Sequence, residues 1–410
     1  MTVLSRGRTT GGASSAQLVS VTVGVCIAAT LPVALLGSLA PRVRADLGTS
    51  LGLYGLTATV FLLVSGFGAL FTGRWVDRFG AKRGLVLAAI LSAGSAGGFA
   101  VAQGTVTLML AMLIGGASNA IAHPAASRLI AHEVHHRRRG LAFGIKQASV
   151  PASMMLAGLA VPSITVLIDW RGTALVSVGA SILATGFALV ATEVREGQPS
   201  TKPPSGLRSG VRRSSASGRL WAIAGAAALG AAASAPLATF LVDSGVATGL
   251  SETLASSALA VAGFCGMSAR VYLGWLIDRR GGRGALDLVV RLLVLGALGF
   301  LLLTLGGAPT FVAGAILAYA AGWSWNGLIH YAVVEEFPAS PAEATGVLQS
   351  GAMLGAGLGP AMFGVIAGAQ SYGAGWAVTV GLALGSATVL AAAQRRRRGL
   401  RMGAGHPGAA

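Results

Sequence analysis

Long apolar runs are the feature that most limits how this chain can fold. Charged residues make up 10% of it and the mean hydropathy is +0.72, whereas soluble domains carry about 25% charged residues. A helix needs roughly 20 mostly apolar residues to cross a bilayer. Twelve such spans are predicted, at residues 17–38, 51–73, 84–103, 106–130, 141–163, 172–192, 220–242, 251–276, 285–305, 310–334, 344–368 and 373–393. The chain is therefore expected to be an all-α membrane protein.

The net charge of +17 could suggest a nucleic-acid partner, but its distribution favours another explanation. With both termini on one side of the membrane, 23 of the 30 lysines and arginines fall on that side, three on the other and four within spans. Basic loops stay in the cytoplasm, so both termini are expected there. Because topology accounts for the charge, no nucleic-acid partner is expected.

Two sequence repeats indicate a duplicated architecture. Residues 73–83 (GRWVDRFGAKR) recur 201 positions later as residues 274–283 (GWLIDRRGGR), each between two spans. Residues 144–149 (GIKQAS) recur 202 positions later as residues 346–351 (GVLQSG). Two matches at nearly the same offset predict two six-span halves related by a parallel repeat.

The stretch between the halves is polar, basic and rich in proline and serine, which is typical of a flexible linker. The predicted organisation is an N-terminal bundle at 1–192, a cytoplasmic linker at 193–219, a C-terminal bundle at 220–394 and a basic cytoplasmic tail at 395–410.

The repeated loop, the twelve spans and the central linker resemble the major facilitator superfamily of transporters, and residues 140–151 (GLAFGIKQASVP) resemble a bacterial subgroup of uncertain substrate. The resemblance implies two pseudo-symmetric six-helix bundles around a central cavity lined by spans 1, 4, 7 and 10. It also implies that the loop latches the halves together on the cytoplasmic side while the protein opens outward. Carried over, the latch residues are Gly73, Asp77, Arg78, Gly80 and Arg83, with Gly274, Asp278, Arg279, Gly281 and Arg283 in the second copy.

Elementary chemistry supports part of this interpretation. Gly73 and Gly274 would let a neighbouring helix approach closely because they have no side chain. Asp77 and Asp278 could pair with nearby arginines or face a helix N-terminus. The alternative is that the loop only anchors topology.

Residues deep in the spans are the candidates for substrate binding, because burying polar or charged groups in a membrane is costly. All thirteen Asp and Glu lie in loops or near span ends, so the deep charges are basic. Arg270 resembles the span 8 arginine of carboxylate-carrying members, and a guanidinium suits a carboxylate. The candidates are Arg270, Lys146, His123, Asn119, Trp323, Asn326, Gln147 and Gln349.

Alternatives remain open at several of these positions. Arg270 could be structural, Lys146 and Arg128 could extend towards the cytoplasmic face, and His123 could either relay protons or simply pack. Trp323 and Asn326 can share a helix face, whereas Trp325 points elsewhere. The glycines at 351, 355 and 359 are expected to form a close-packing face.

The sequence thus predicts a bacterial plasma-membrane transporter, monomeric, that moves a small organic anion or polar metabolite by alternating access. No cofactor is expected, although proton coupling is possible. The alternatives are an exporter of drugs or hydrophobic metabolites and a transport-inactive sensor or scaffold. An enzyme is not expected, because the spans show no spaced metal ligands, paired deep carboxylates or nucleophile–base arrangement.

Overall fold

The computed structural model describes residues 15–134, 139–191, 216–280, 284–337 and 341–403. Within these ranges the regular structure is helical throughout. The first half contains α1 (Ser15–Ser38), α2 (Ala40–Leu47), α3 (Leu51–Phe79), α4 (Ala81–Ala100), α5 (Thr105–Glu133), α6 (Arg139–Gln147), α7 (Ser149–Ala160), a π-helical segment (Val161–Thr165) and α8 (Val166–Ala191). The second contains α9 (Ala216–Ala247), α10 (Glu252–Arg279), α11 (Ala285–Thr304), α12 (Ala308–Leu317), a π-helical segment (Ala318–Gly322), α13 (Asn326–Glu336), α14 (Pro341–Ala369) and α15 (Tyr372–Gly403).

The number of membrane crossings agrees with the twelve predicted spans. Ten helices in the described ranges are long and apolar enough to cross a membrane. One of them, Gly144–Val190, has 47 residues, about 70 Å of helix at 1.5 Å per residue and too long for one crossing. It changes direction at Asp169, whose φ of 62° is not helical, and therefore contains spans 5 and 6. Span 10 is the twelfth, made of α12, a π segment and α13.

The first helix of each half contacts several other helices of that half. In the first half α1 contacts α5, α7 and α8, and in the second half α9 contacts α14 and α15. The halves meet mainly through α3 with α14, α7 with α10 and α1 with α9, and also where α2 contacts α9 and α6 contacts α10. Large apolar side chains such as Phe71, Leu167 and Phe187 remain exposed on the outside, as expected of a surface that faces lipid.

The predicted glycine face on span 11 is confirmed. A Cβ at Gly351 would lie 2.5 Å from the carbonyl oxygen of Ala224, and one at Gly359 would lie 2.6 Å from that of Ala232. At Gly355, between them, a Cβ would overlap the carbonyl of Ala228. Since any side chain would collide with backbone, these glycines set the close packing of α14 on α9.

Some boundaries differ from the predicted ones. The first helix of the second half begins at Ala216, inside the segment predicted as linker, and α15 continues to Gly403, inside the predicted tail. The short helix α2 follows span 1 and was not predicted, because it has only eight residues, three of them charged. Pro41 lies in its first turn, where proline is tolerated. The remainder of the predicted linker lies outside the described residues.

Candidate functional site

The repeated loop lies at one end of the bundle, here termed the motif end. Asp77, near the end of α3, is 3.4 Å from the Nη1 atom of Arg128 on α5, and its side chain is 71% exposed. Arg128 also donates a hydrogen bond to the carbonyl of Val76. The carboxylate therefore pairs within its own half. Arg128, which the sequence suggested would extend towards the cytoplasmic face, reaches this carboxylate at the motif end.

The close approach expected at Gly73 and Gly274 is not made in this conformation, because no atom lies within 4 Å of where a Cβ would be. Gly80 joins α3 to α4 with a φ of 97°, which side-chain-bearing residues rarely adopt. In each copy the arginine lies over a neighbouring ring, Arg78 at 5.8 Å from the centroid of Phe79 and Arg279 at 4.2 Å from that of Trp275.

Arg83 lies in the first turn of the next helix, α4. The remaining members of the second copy, Gly281, Arg283 and the side chain of Asp278, lie outside the described residues.

The opposite end carries a polar contact between the halves that sequence reasoning missed. Arg44 on α2 donates to Asp243 on α9 at 2.5 Å and to the hydroxyl of Tyr372 on α15 at 3.1 Å. Tyr372 in turn donates to Asp243. Asp243 is 5% exposed. A charge so well covered needs a partner, and here the partner comes from the other half.

A second ion pair lies beside the first. The Nε atom of Arg42 is 2.8–2.9 Å from both carboxylate oxygens of Glu252 on α10. Its Nη1 atom donates to the carbonyl of Thr165, at the end of the π segment of span 5. Arg42 and Arg44 are two of the three basic residues that the predicted topology places on the side opposite the termini. The available signal was their position two residues apart on the side with few basic residues.

Glycines bring the helices of the two halves into direct contact at this end. A Cβ at Gly37 of α1 would overlap the carbonyl of Ala238 on α9, and one at Gly55 of α3 would overlap that of Pro360 on α14. The halves are therefore closely packed at the end opposite the motif loops. At the motif end, Gly73 and Gly274 have open space around them.

Arg270 lies between these two ends, where the halves meet. Its Nη1 atom donates to the carbonyl of Gln147 in the first half at 3.2 Å, and its Nη2 atom donates to the carbonyl of Trp323 in the second half at 3.2 Å. The guanidinium carbon is 5.8 Å from the centroid of the Trp323 ring. Residues 323–325 form a turn between the π segment and α13, which leaves the Trp323 carbonyl free to accept.

Lys146 is next to Gln147 along the chain. It is 6% exposed, and its Nζ atom is 3.2 Å from the Ser127 hydroxyl on α5. His123 and Cys26 are within electrostatic reach of it. Neither Lys146 nor Arg270 pairs with a carboxylate among the residues that the structure describes.

Two basic side chains, one from each half, thus lie within spans without an acidic partner in the described ranges. This arrangement suits an anion.

Comparison with known proteins establishes the family. The family model described as Major Facilitator Superfamily matches residues 18–360, most of the chain. The chain belongs to the major facilitator superfamily. No curated protein matches it.

Solved structures of this superfamily share its fold. A bacterial homolog of the human lysosomal transporter Spinster, in an inward-facing and unoccupied conformation, is 16% identical with a TM-score of 0.67, over 92% of this chain and 95% of that one. A mutant of the nucleoside transporter NupG is 14% identical with a TM-score of 0.71, over 92% of this chain and 99% of that one. At these identities the likeness shows the fold alone. The predicted fold class and family are confirmed.

The other candidate residues of this superfamily member have different surroundings. The Asn119 amide accepts from Ser65 at 2.7 Å and donates to Thr30 at 3.0 Å, so it joins spans 1, 2 and 4 within the first half. His123, one turn further along α5, makes no hydrogen bond among the described residues. Asn119 is thus engaged in holding helices together, whereas His123 is not.

In span 10 the two tryptophans separate as the helix periodicity predicts. Trp323 is half-buried and its ring lies 5.2 Å from that of Tyr319. Trp325 is fully buried in the core of the second half and donates from Nε1 to the Gly322 carbonyl at 2.8 Å. Trp323 is therefore the tryptophan next to Arg270.

Gln349 is bound to a histidine that was not among the candidates. Its Oε1 atom is 2.7 Å from Nε2 of His330, and Nδ1 of that ring is 2.8 Å from the carbonyl of Asn326. Gln147, its counterpart in the repeat, is exposed and contacts Arg270 through its backbone. His330 was not a candidate, because the spacing of residues along span 10 does not reveal which residue of span 11 faces it.

Proposed function

We propose that this superfamily member transports a small organic anion by alternating access between its two halves. The observation that carries this substrate class is the pair of basic side chains at Gln147, one next to it along the chain and the other bonded to its carbonyl. Arg270 comes from the second half and Lys146 from the first. Sites between the halves are accessible to each side in turn when one half rocks against the other.

The hydrogen bonds of Arg270 favour an anion as ligand. Its donors are directed at two neutral backbone carbonyls, which are weaker acceptors than a carboxylate. A guanidinium presents paired donors that match the two oxygens of a carboxylate. A substrate anion would therefore replace weaker contacts with stronger ones, and the Trp323 ring beside Arg270 offers an apolar wall for the rest of a small metabolite.

The charge distribution supports a cytoplasmic motif end. The side of the membrane to which this conformation opens follows from that orientation. The protein would then lie in the bacterial plasma membrane with both termini inside. The ion pairs Arg42–Glu252 and Arg44–Asp243 would close the outer side. The space at Gly73 and Gly274 would belong to a form open to the cytoplasm. The protein would act as a monomer, because each half supplies one of the two cations.

Proton coupling is proposed to use His330 rather than His123. A carbonyl can only accept, so Nδ1 of His330 carries a proton for its bond to Asn326. The Gln349 amide can present either oxygen or nitrogen to Nε2, because its two ends differ only by a flip. The ring can thus gain or lose a proton while keeping both hydrogen bonds.

Other ionisable groups lie on the helix of His330 and on a helix packed against it. Glu335 and Glu336 follow His330 on α13, and Asp287 and Arg291 lie on the neighbouring α11.

An anion-dependent rise in the unfolding temperature of the purified protein tests the substrate class, since a ligand that binds the folded state stabilises it. The probes are acetate, succinate and benzoate, with choline as a cation. Carboxylates should raise the unfolding temperature of the wild-type protein and fail to do so in Arg270→Gln. The matched control is Arg291→Gln, an exposed arginine on α11, which should respond like the wild type. A response to choline and to no carboxylate would contradict an anion carrier.

A second measurement separates transport from the alternatives. Reconstituted protein should accumulate a labelled carboxylate inside liposomes. An exporter of hydrophobic compounds would instead lower the accumulation of amphipathic dyes in cells. A sensor or scaffold would bind without any flux.

A further inference from the structure

Tyr319 has a buried hydroxyl that lacks a hydrogen-bond partner. The residue is 1% exposed and lies in the π-helical segment Ala318–Gly322 of span 10. No hydrogen bond to its hydroxyl occurs in the part of the chain that the structure describes. A buried hydroxyl without a partner destabilises a fold, and phenylalanine would fill the same space without that cost. The hydroxyl therefore calls for an explanation.

The hydroxyls of three other tyrosines in this chain either have a hydrogen-bond partner or belong to an exposed side chain. Tyr54 is fully buried and donates to the carbonyl of Leu36, and Tyr372 donates to Asp243. Tyr272 is 57% exposed, so its side chain is not enclosed by protein. Among the described residues, Tyr319 is the buried tyrosine whose hydroxyl is left without a partner.

The position of Tyr319 relates it to the deep arginine. Its ring packs on Trp323 with centroids 5.2 Å apart, and Arg270 lies on the same indole and donates to the Trp323 carbonyl. Tyr319 and Arg270 are within electrostatic reach of each other. The phenol ring of Tyr319 and the guanidinium of Arg270 thus both contact one tryptophan. Tyr319 is 1% exposed here, so a ligand would reach its hydroxyl only after the surrounding side chains move apart.

We propose that the Tyr319 hydroxyl donates a hydrogen bond to one oxygen of a substrate carboxylate whose other oxygen pairs with Arg270. The inference rests on the proposed anion transport and makes its substrate more specific. The Trp323 ring beside these donors favours a carboxylate with an apolar, planar body over a compact hydrophilic one. The geometry assigns the substrate class as aromatic or similarly apolar monocarboxylates, for which benzoate is the probe and acetate the comparison.

Tyr319→Phe tests the role of the hydroxyl with little change in shape. Without ligand, the variant should unfold at the same temperature as the wild type or higher. With benzoate, the concentration giving half of the maximal temperature shift should rise about tenfold, the loss expected for one hydrogen bond to a charged group. The wild type should respond to benzoate at lower concentrations than to acetate.

Thr239→Val is the matched control. Thr239 is also fully buried with a hydroxyl that lacks a partner among the described residues, but it lies on α9 near the end opposite the motif loops. Removing the Thr239 hydroxyl should stabilise the free protein. It should leave unchanged the benzoate concentration that gives half of the maximal temperature shift.

The outcomes distinguish this inference from the function on which it rests. If Arg270→Gln abolishes the response to benzoate while Tyr319→Phe keeps the wild-type midpoint, the tyrosine is not a ligand but the anion site stands. If Tyr319→Phe lowers the unfolding temperature of the free protein, the hydroxyl has a structural partner such as a buried water, which overturns the inference. If no carboxylate shifts the wild type, both proposals fail.

Discussion

Arg44 donates to Asp243 across 2.5 Å and so joins the short helix α2 of the first half to span 7 of the second. The two residues are 199 positions apart in the sequence. The side chain of Asp243 is 7% exposed and that of Arg44 is 23% exposed. Because the pair is largely covered, it stabilises the conformation in which this end is closed.

Asp243→Asn should weaken closure of the end opposite the motif loops. Removing one partner of a covered ion pair costs about 3 kcal/mol or more, since the other charge remains. Amide hydrogen exchange in α2 and at the end of α9 should therefore become at least about tenfold faster. The control is Asp46→Asn, which removes a partner of Arg171 at the same end in an exposed pair within one half. Equal exchange rates in both variants would show that the Arg44–Asp243 pair does not hold the end closed.

Gly37→Ala should disfavour the same closed arrangement by a different cause. A methyl group at position 37 would overlap the carbonyl of Ala238, and overpacking of this kind typically costs about 1–3 kcal/mol. The expected result is faster exchange in α1 and α9 near this contact and a changed transport rate. Gly24→Ala is the control on the same helix, because nothing lies within 4 Å of its Cβ position. A normal exchange pattern in Gly37→Ala would contradict the close packing.

Asp77→Asn should reduce transport while membrane insertion remains largely intact. In this conformation the carboxylate is exposed and pairs with Arg128, so its loss should change the unfolding temperature little. Its larger effect is expected in the alternate state, where the resemblance places the latch. If the two residues act as a pair, the double variant Asp77→Asn with Arg128→Gln should transport no worse than the poorer single variant. Normal transport by Asp77→Asn would rule out the latch.

His330→Gln should separate substrate movement from proton movement. The variant keeps a polar group beside Gln349 but cannot gain a proton. It should still exchange labelled for unlabelled carboxylate across liposome membranes, and it should no longer accumulate carboxylate when only a pH gradient drives uptake. His123→Gln, the variant of the other candidate, should accumulate normally. The reverse result would assign coupling to His123.

The sequence predicted the fold well because its main determinants are local or repeated. Apolar runs report membrane crossings directly, and the duplicated loop divides them into two halves. Glycines four residues apart on span 11 predicted a contact face, which the packing against Ala224, Ala228 and Ala232 confirms. Each of these signals lies within one segment, or in two copies of it, and needs no knowledge of the partner helix.

The candidate site was harder to predict because it depends on which helices face each other. Nothing near Asp243 in the sequence indicates that Arg44 is its partner, and His330 gives no sign of Gln349. The break in span 10 was also missed, since the apolar composition continues through Trp323 although the helix does not. Arg270 and Lys146 were identified as candidates because a deep charge is unusual wherever it occurs.

The contact between Arg270 and Gln147 lies between the motif end of the bundle and the closely packed end opposite it. A rotation displaces atoms in proportion to their distance from its axis. If one half rotates against the other about an axis through this level, the two ends move furthest and the two cations keep nearly the same separation. A bound anion would then be carried from one solvent to the other without being released and recaptured.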